Sequence, residues 1–139
     1  MGTRLFFELT GKANCVAIHF CEQDVISSLA ASLSEKGVAL FDVDGASIHT
    51  LEDLFKAFAV SLKKPEGWYG DEEYAPNVNA FFEYLDDVHE WVPAAGHVVI
   101  VRAAERLWTT TPRLAGHLVE LWQFATGQRE ANIHLVFAW

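Results

Sequence analysis

His97-Val98-Val99-Ile100-Val101-Arg102 is an apolar run, unbroken from Val98 to Val101 and closed by a charge. A strand with one wet face alternates apolar and polar residues. A strand covered on both faces does not need to, and such runs belong to parallel sheets under two layers of helix. Working outward, Val38 to Val43 is a second apolar run, and Asp44-Gly45 turns the chain out of it. Ile133 to Trp139 is a third.

The stretches between these runs have helical period. Thr50 opens a helix, with Asp53 where a capping-box acid would sit and Leu51, Leu54, Phe55, Phe58 and Leu62 as its apolar stripe. Pro65 and Gly67 stop it. After an acidic loop, Pro76-Asn77 leads into a helix ending near Trp91. Thr111-Pro112 starts another, with proline at the first helical position, Leu114, Leu118, Leu121 and Trp122 inward, and Gly127 at its end. Strand, helix, strand, helix, strand implies right-handed crossovers and a parallel sheet.

Ahead of this core, Leu5 to Leu9 and Cys15 to Cys21 look like two strands of a hairpin around Thr10-Gly11-Lys12-Ala13-Asn14. A helix from Asp24 to Lys36 follows, with Asp24 as its cap and Gly37 as its stop. The expected fold is therefore α/β: a three-stranded parallel core flanked by helices, extended by an N-terminal β-hairpin plus helix. Residues 1–139 form one domain, with 1–37 as the extension and 38–139 as the core.

Half the residues are apolar (51%) and 21% are charged, a globular balance that argues against disorder. Cys15 and Cys21 lie on one face of a strand-like run, so reduced thiols are expected and a disulfide is not. No apolar run is long enough for a bilayer, and the N-terminus lacks the pattern of a secretory signal, so a cytoplasmic protein is expected.

Charge is segregated. The chain has 19 acids and 10 bases, a net charge of −9. Between Lys64 and Arg102 there is no Lys or Arg, and Glu66, Asp71, Glu72, Glu73, Glu83, Asp86, Asp87 and Glu90 fall in that gap. The window carries −8, leaving −1 for the remainder. On a helical wheel Glu83, Asp86, Asp87 and Glu90 share one face with Asn79, opposite Val78, Phe81, Phe82, Leu85, Val88 and Val92. Like charges at this spacing cost roughly 0.2–0.5 kcal/mol per pair, and carboxylates near the helix C-terminus oppose its dipole. Stability does not select such a face. A positive partner does, and nucleic acid is excluded by its phosphates.

The segment Phe41 to Leu85 resembles the barstar family of ribonuclease inhibitors. The residues that carry the resemblance are Asp44-Gly45-x-x-Ile48 with Leu54, Leu62-x-x-Pro65, Trp68-Tyr69-Gly70 and Asn77-Val78-Asn79-Ala80-Phe81. The strand at His97 and Ile133-His134-Leu135-Val136-Phe137 fit its later strands, so the likeness spans about residues 38 to 138. It implies an intracellular, non-catalytic inhibitor without cofactor or metal, expected to be a monomer. Its partner is a basic bacterial ribonuclease or ribonuclease-type toxin, whose active site it plugs. Carried over residue by residue, Trp68, Tyr69 and Gly70 supply the loop contact. Asn77 and Val78 sit at the helix start, Asn79 and Glu83 take the positions of the family's acids, and Ala80 and Phe82 flank them; Asp86 and Asp87 join the candidate contact from the acidic face of the same helix. Asn79 stands where the family often has Asp, and Asp71 to Pro76 lengthen the loop. The family's acids from the last helix are not carried over, because Gln128-Arg129-Glu130 stands there.

Two other functions are open from the residues. An acidic face could serve a non-catalytic adaptor for another basic protein. Alternatively, Phe41-Asp42-Val43-Asp44-Gly45 is similar to the first motif of haloacid-dehalogenase phosphatases, with Asp42 as nucleophile and Asp44 as acid/base. That chemistry also needs a second acidic pair at a later strand end and a Lys, and no Lys follows Lys64.

Overall fold

A computed structural model describes residues 2–13, 17–129 and 131–139. In chain order the elements are α1 (Thr3–Thr10), β1 (Ile18–Cys21), α2 (Gln23–Glu35), β2 (Val38–Asp44), α3 (Leu51–Ser61), α4 (Val78–Trp91), β3 (Gly96–Arg102), α5 (Ala104–Thr110), α6 (Pro112–Gln128) and β4 (His134–Ala138). The sheet has four strands, all parallel, in the order β1-β4-β3-β2. Val98 lies opposite Leu40 on one side and His134 on the other, which centres the apolar run within the sheet.

The chain crosses the sheet from β1 to β2 in one direction and returns through β3 to β4 in the other. Crossovers of one hand running in opposite directions put their helices on opposite faces. Accordingly Leu9, Ile26 and Leu33 of α1 and α2 pack with Val98, Ile100, Val136 and Ala138. On the opposite face Val99, Val101, Leu135 and Phe137 meet α3, α4 and α6 through Phe58, Phe81 and Trp122. Alternate residues of each apolar strand thus feed two cores, which is why the strands need no polar positions. Trp122 is fully buried, and its indole N–H donates to the Ile133 carbonyl at 3.0 Å.

Several expectations require correction. There is no hairpin at Leu5 to Leu9, because those residues lie in α1. Leu5, Phe6 and Leu9 recur at helical spacing and turn toward the α2 face, with Leu9 wholly buried. The second expected strand shortens to Ile18–Cys21; Cys15 lies outside the described residues, and Cys21 is a free, half-buried thiol. The sheet consequently has four strands, three from the core and one parallel edge strand, β1. Finally, α6 runs through Gly127 to Gln128, and the short α5 precedes it.

Local signals hold where a side chain acts on the neighbouring backbone. Thr50 caps α3 by accepting from the Asp53 N–H at 3.0 Å, and Asp53 reaches back to the His49 N–H at 3.0 Å. Asp24 sits in the first turn of α2 but Glu22 is the N-cap, without a side-chain bond. At Gly45 an added Cβ would lie 2.6 Å from the Arg102 carbonyl, so this turn requires glycine.

Candidate partner-binding face

The acidic helix α4 begins at Asn77, whose side-chain oxygen accepts from the Ala80 N–H at 2.9 Å. This cap sets where the helix starts, and the apolar stripe that follows turns toward the core. Phe81, Phe82, Tyr84, Leu85 and Val88 are then buried, while Asn79, Glu83 and Glu90 are exposed.

The preceding loop is fastened to the flank of this helix by aromatic contacts. Tyr69 adopts a left-handed backbone (φ 61°), uncommon for a residue with a bulky side chain. Its ring stacks on Tyr84 with centroids 4.9 Å apart, and its hydroxyl donates to Asp87 Oδ2 at 2.6 Å while lying 3.1 Å from the Glu83 carbonyl. Trp68 meets the edge of Trp91 at 5.1 Å, and the Trp91 N–H donates to the Leu62 carbonyl at 2.8 Å. Burial first, then the bond to Asp87, drives the Tyr69 phenol far above its ordinary range. Burial also pushes Tyr84 up to about 12, with the Glu72 charge adding to it. The Tyr84 hydroxyl is enclosed without a hydrogen-bond partner among the described residues.

The rest of the long loop is held by two further polar contacts. The Tyr74 hydroxyl donates to Glu52 Oε1 at 2.6 Å, and Lys56 stands 3.4 Å from the same carboxylate and 5.2 Å from the Tyr74 ring centre. Lys64 donates to the Glu72 carbonyl at 2.6 Å. Asp71, Glu72 and Glu73 stay exposed, rimming a cleft of about 630 Å³ against Leu51 and Phe55.

The four acids on α4 do not form a single row. Asp87 turns toward Tyr69. Asp86 turns the other way, toward Arg129 beyond α6, whose Nε and Nη2 both lie 3.0 Å from its Oδ2. Asp86 Oδ1 is enclosed with no partner among the described residues, and burial raises the Asp86 carboxyl despite the Arg129 charge that lowers it. The Arg129 guanidinium also covers the Phe82 ring at 5.4 Å, and Phe82 stacks on Phe124 at 4.8 Å. Phe82 is buried.

The structure thus brings Trp68, Tyr69, Glu83 and Asp87 together. Gly70, at φ 77°, follows them in the loop. Asn77, Val78, Asn79 and Ala80 sit at the helix start, with Asn79 exposed. Phe82 is buried in the core, and Asp86 stays partly exposed but is drawn into an ion pair. Sequence reasoning missed Arg129, Trp91 and Tyr84. Arg129 is 43 residues from Asp86, and no local spacing signals that pairing. Trp91 lies seven residues after Tyr84 on one helix, a spacing that could have linked the two rings.

This constellation of an aromatic loop, a capped acidic helix and a parallel sheet behind them coincides with a match to a family model. The Barstar model, described as barstar (barnase inhibitor), covers residues 38–138. The chain belongs to the Barstar family. The matched stretch begins at the first residue of β2 and ends at the last of β4, so α1, β1 and α2 lie outside the Barstar region. No curated protein matches the chain.

The phosphatase-like aspartates of this Barstar protein are engaged in the fold. Asp42 Oδ1 receives Arg102 Nε at 2.8 Å, and Arg102 also donates to the Ser27 hydroxyl at 3.1 Å. Asp44 Oδ1 accepts from the Ala46 N–H at 3.0 Å and caps the turn after β2. Among the described residues no helix is long and apolar enough to cross a membrane.

Proposed function

We propose that this Barstar-family chain is a non-catalytic inhibitor of a basic bacterial ribonuclease or ribonuclease-type toxin, acting as a monomer in the cytoplasm. It covers the enzyme's active site with the Trp68–Gly70 loop and the outer face of α4. Asn77, Val78, Asn79 and Ala80 form the near end of the contact. Glu83 and Asp87 supply the charge that stands in for nucleotide phosphates.

The observation that carries this reading is the Tyr69 hydroxyl, bonded to Asp87 and close to the Glu83 carbonyl. It makes the aromatic loop and the acidic helix one rigid surface. A preorganised face loses little freedom on binding, and its one-signed charge accelerates encounter with a basic cleft. Glu83 carries most of the weight, since it is exposed while Asp86 is neutralised by Arg129.

The test is co-purification from the native host at low salt and again at high salt, followed by an RNA-cleavage assay on the captured enzyme. A basic nuclease retained at low salt, released at high salt and inhibited by the purified chain is the expected result. Capture of a basic protein without nuclease activity favours the adaptor reading instead. Capture that is indifferent to salt removes the electrostatic argument.

A further inference from the structure

An open groove of about 390 Å³ lies beside the carboxyl ends of β1 and β4 and shares no residue with the proposed inhibitory face. Its lining is Phe20 on β1, Glu105, Trp108 and Thr109 on α5, and Trp139 just after β4. Phe20 and Trp139 are 55% and 48% exposed, so two large rings meet solvent side by side. The backbone holds both in place. Phe20 stands opposite Phe137 in the sheet register and stacks on it at 5.2 Å. The Trp139 N–H donates to the Cys21 carbonyl at 3.2 Å, and the Trp139 carbonyl accepts from the Gln23 N–H at 2.8 Å. Trp139 thus continues the ladder past Ala138. Glu105 and Trp108 are three residues apart on α5 and share a face.

The rings make the groove concave. Phe20 lies 6.3 Å from Trp108 and 5.9 Å from Trp139, and is inclined at 50° to each. Aromatic faces carry negative potential, and several rings inclined around one space favour a cation there. Glu105 stands on the rim, exposed, and its carboxylate has no ion-pair or hydrogen-bond partner among the described residues. Arg106, the next base on α5, is not part of the lining. The net charge of −9 draws cations to the chain as a whole. A neutral apolar ligand would strip water from Glu105 and give nothing back. A primary ammonium brings three N–H donors and a guanidinium five, and the lining offers them one carboxylate and one hydroxyl. A quaternary ammonium has no N–H to satisfy, and its methyl groups pack directly on the rings.

We propose that Phe20, Trp108 and Trp139, with Glu105 at the rim, form an aromatic cage for a small molecule bearing a quaternary ammonium group. The volume is that of a small-ligand site. Phe20 and Trp139 fall outside residues 38–138, while Glu105 and Trp108 fall within them. The cage is therefore completed by residues beyond the Barstar region.

Choline and its uncharged carbon isostere dimethylbutanol share a shape and differ by one charge. Each is titrated into the full chain at constant ionic strength, with the indole N–H signals of Trp108 and Trp139 followed by NMR. Choline should bind saturably with a Kd on the order of 1 mM, and the alcohol at least about tenfold more weakly. Trp139→Leu should weaken choline about fivefold and Glu105→Gln about threefold, with the alcohol changed by no more than about twofold. Both side chains are exposed, so both variants should fold. Equal binding of choline and the alcohol would reduce the site to an apolar groove and overturn the cage. So would the absence of a saturable shift with choline. A trimethyllysine peptide that binds at least about tenfold more tightly than choline would assign the cage to a protein and overturn the small-molecule reading.

Discussion

The Tyr69 hydroxyl lies 2.6 Å from Asp87 Oδ2, and this contact ties an irregular loop to a helix that begins nine residues after it. Tyr69 has a positive φ, which costs on the order of 1–3 kcal/mol for such a residue. The stacking on Tyr84 and the bond to Asp87 offset that strain. Asp87 is thus a structural partner of the loop as well as part of the acidic face. Glu83 bears its charge outward with no such duty.

Tyr69→Phe keeps the stacking on Tyr84 and removes the donor. Asp87 is partly exposed and water can replace the hydroxyl, so the expected loss is about 1.5 kcal/mol, at the low end for a bond to a charged group. Urea unfolding measures it, and Trp68 fluorescence should report a looser loop. Unchanged stability together with unchanged fluorescence would show that the bond does not hold the loop.

Alkaline stability follows from the same cluster. All three tyrosines are raised: Tyr69 by burial then Asp87, Tyr74 by its bond to Glu52, and Tyr84 by burial to about 12. The unfolded chain ionises its tyrosines near pH ~10 while the folded chain retains those protons. The folded state therefore binds more protons above pH ~10, and stability declines as pH rises through that window. Ultraviolet titration should show the Tyr69 and Tyr84 phenols still protonated in the folded protein at pH ~10.5, and a further rise in tyrosinate absorbance on unfolding. Tyrosinate absorbance already developed at pH ~10 in the folded chain would contradict the burial of Tyr84.

The apolar run Val98 to Val101 disclosed a parallel sheet because burial on both faces leaves an unmistakable absence of polar positions. The helix starts at Thr50 and Asn77 were legible for a related reason: the cap and the N–H it serves are three residues apart. The segment Leu5 to Leu9 misled because a short apolar run fits either period, and its tertiary neighbours decide. Those neighbours, on α2 and the sheet, lie far along the chain. The acidic face was visible as composition. Its division, with Asp86 drawn to Arg129 and Asp87 to Tyr69, depends on partners that no local spacing encodes.

Arg129→Gln should expose the cost of burying Asp86. With the guanidinium gone, the carboxylate loses its counter-charge and keeps its enclosure, so a loss of about 1 kcal/mol is expected at pH ~7 for this partly exposed pair. Burial raises the Asp86 carboxyl above the unfolded value, which means the folded state takes up the proton first as pH falls. That proton relieves the variant, and its deficit should shrink as pH falls toward ~4. Paired thermal or urea unfolding at the two pH values measures this. A deficit independent of pH would assign the loss to the packing of Arg129 on Phe82.

Phe82→Ala and Glu83→Ala, adjacent in sequence, should separate folding from binding. Phe82 is 5% exposed and stacked between Phe124 and Arg129, so its truncation should cost roughly 3–5 kcal/mol of stability. Glu83 is exposed, and its truncation should alter stability by no more than about 0.5 kcal/mol. Against the cognate enzyme the order reverses. Glu83→Ala should weaken the complex by about 2 kcal/mol, the usual threshold for an interface hot spot, and reduce the salt dependence of association. A folded Phe82→Ala sample should bind nearly as the wild type does. If Glu83→Ala costs less than about 0.5 kcal/mol in binding, the exposed carboxylate is not what the partner recognises, and the loop aromatics must supply the contact without it.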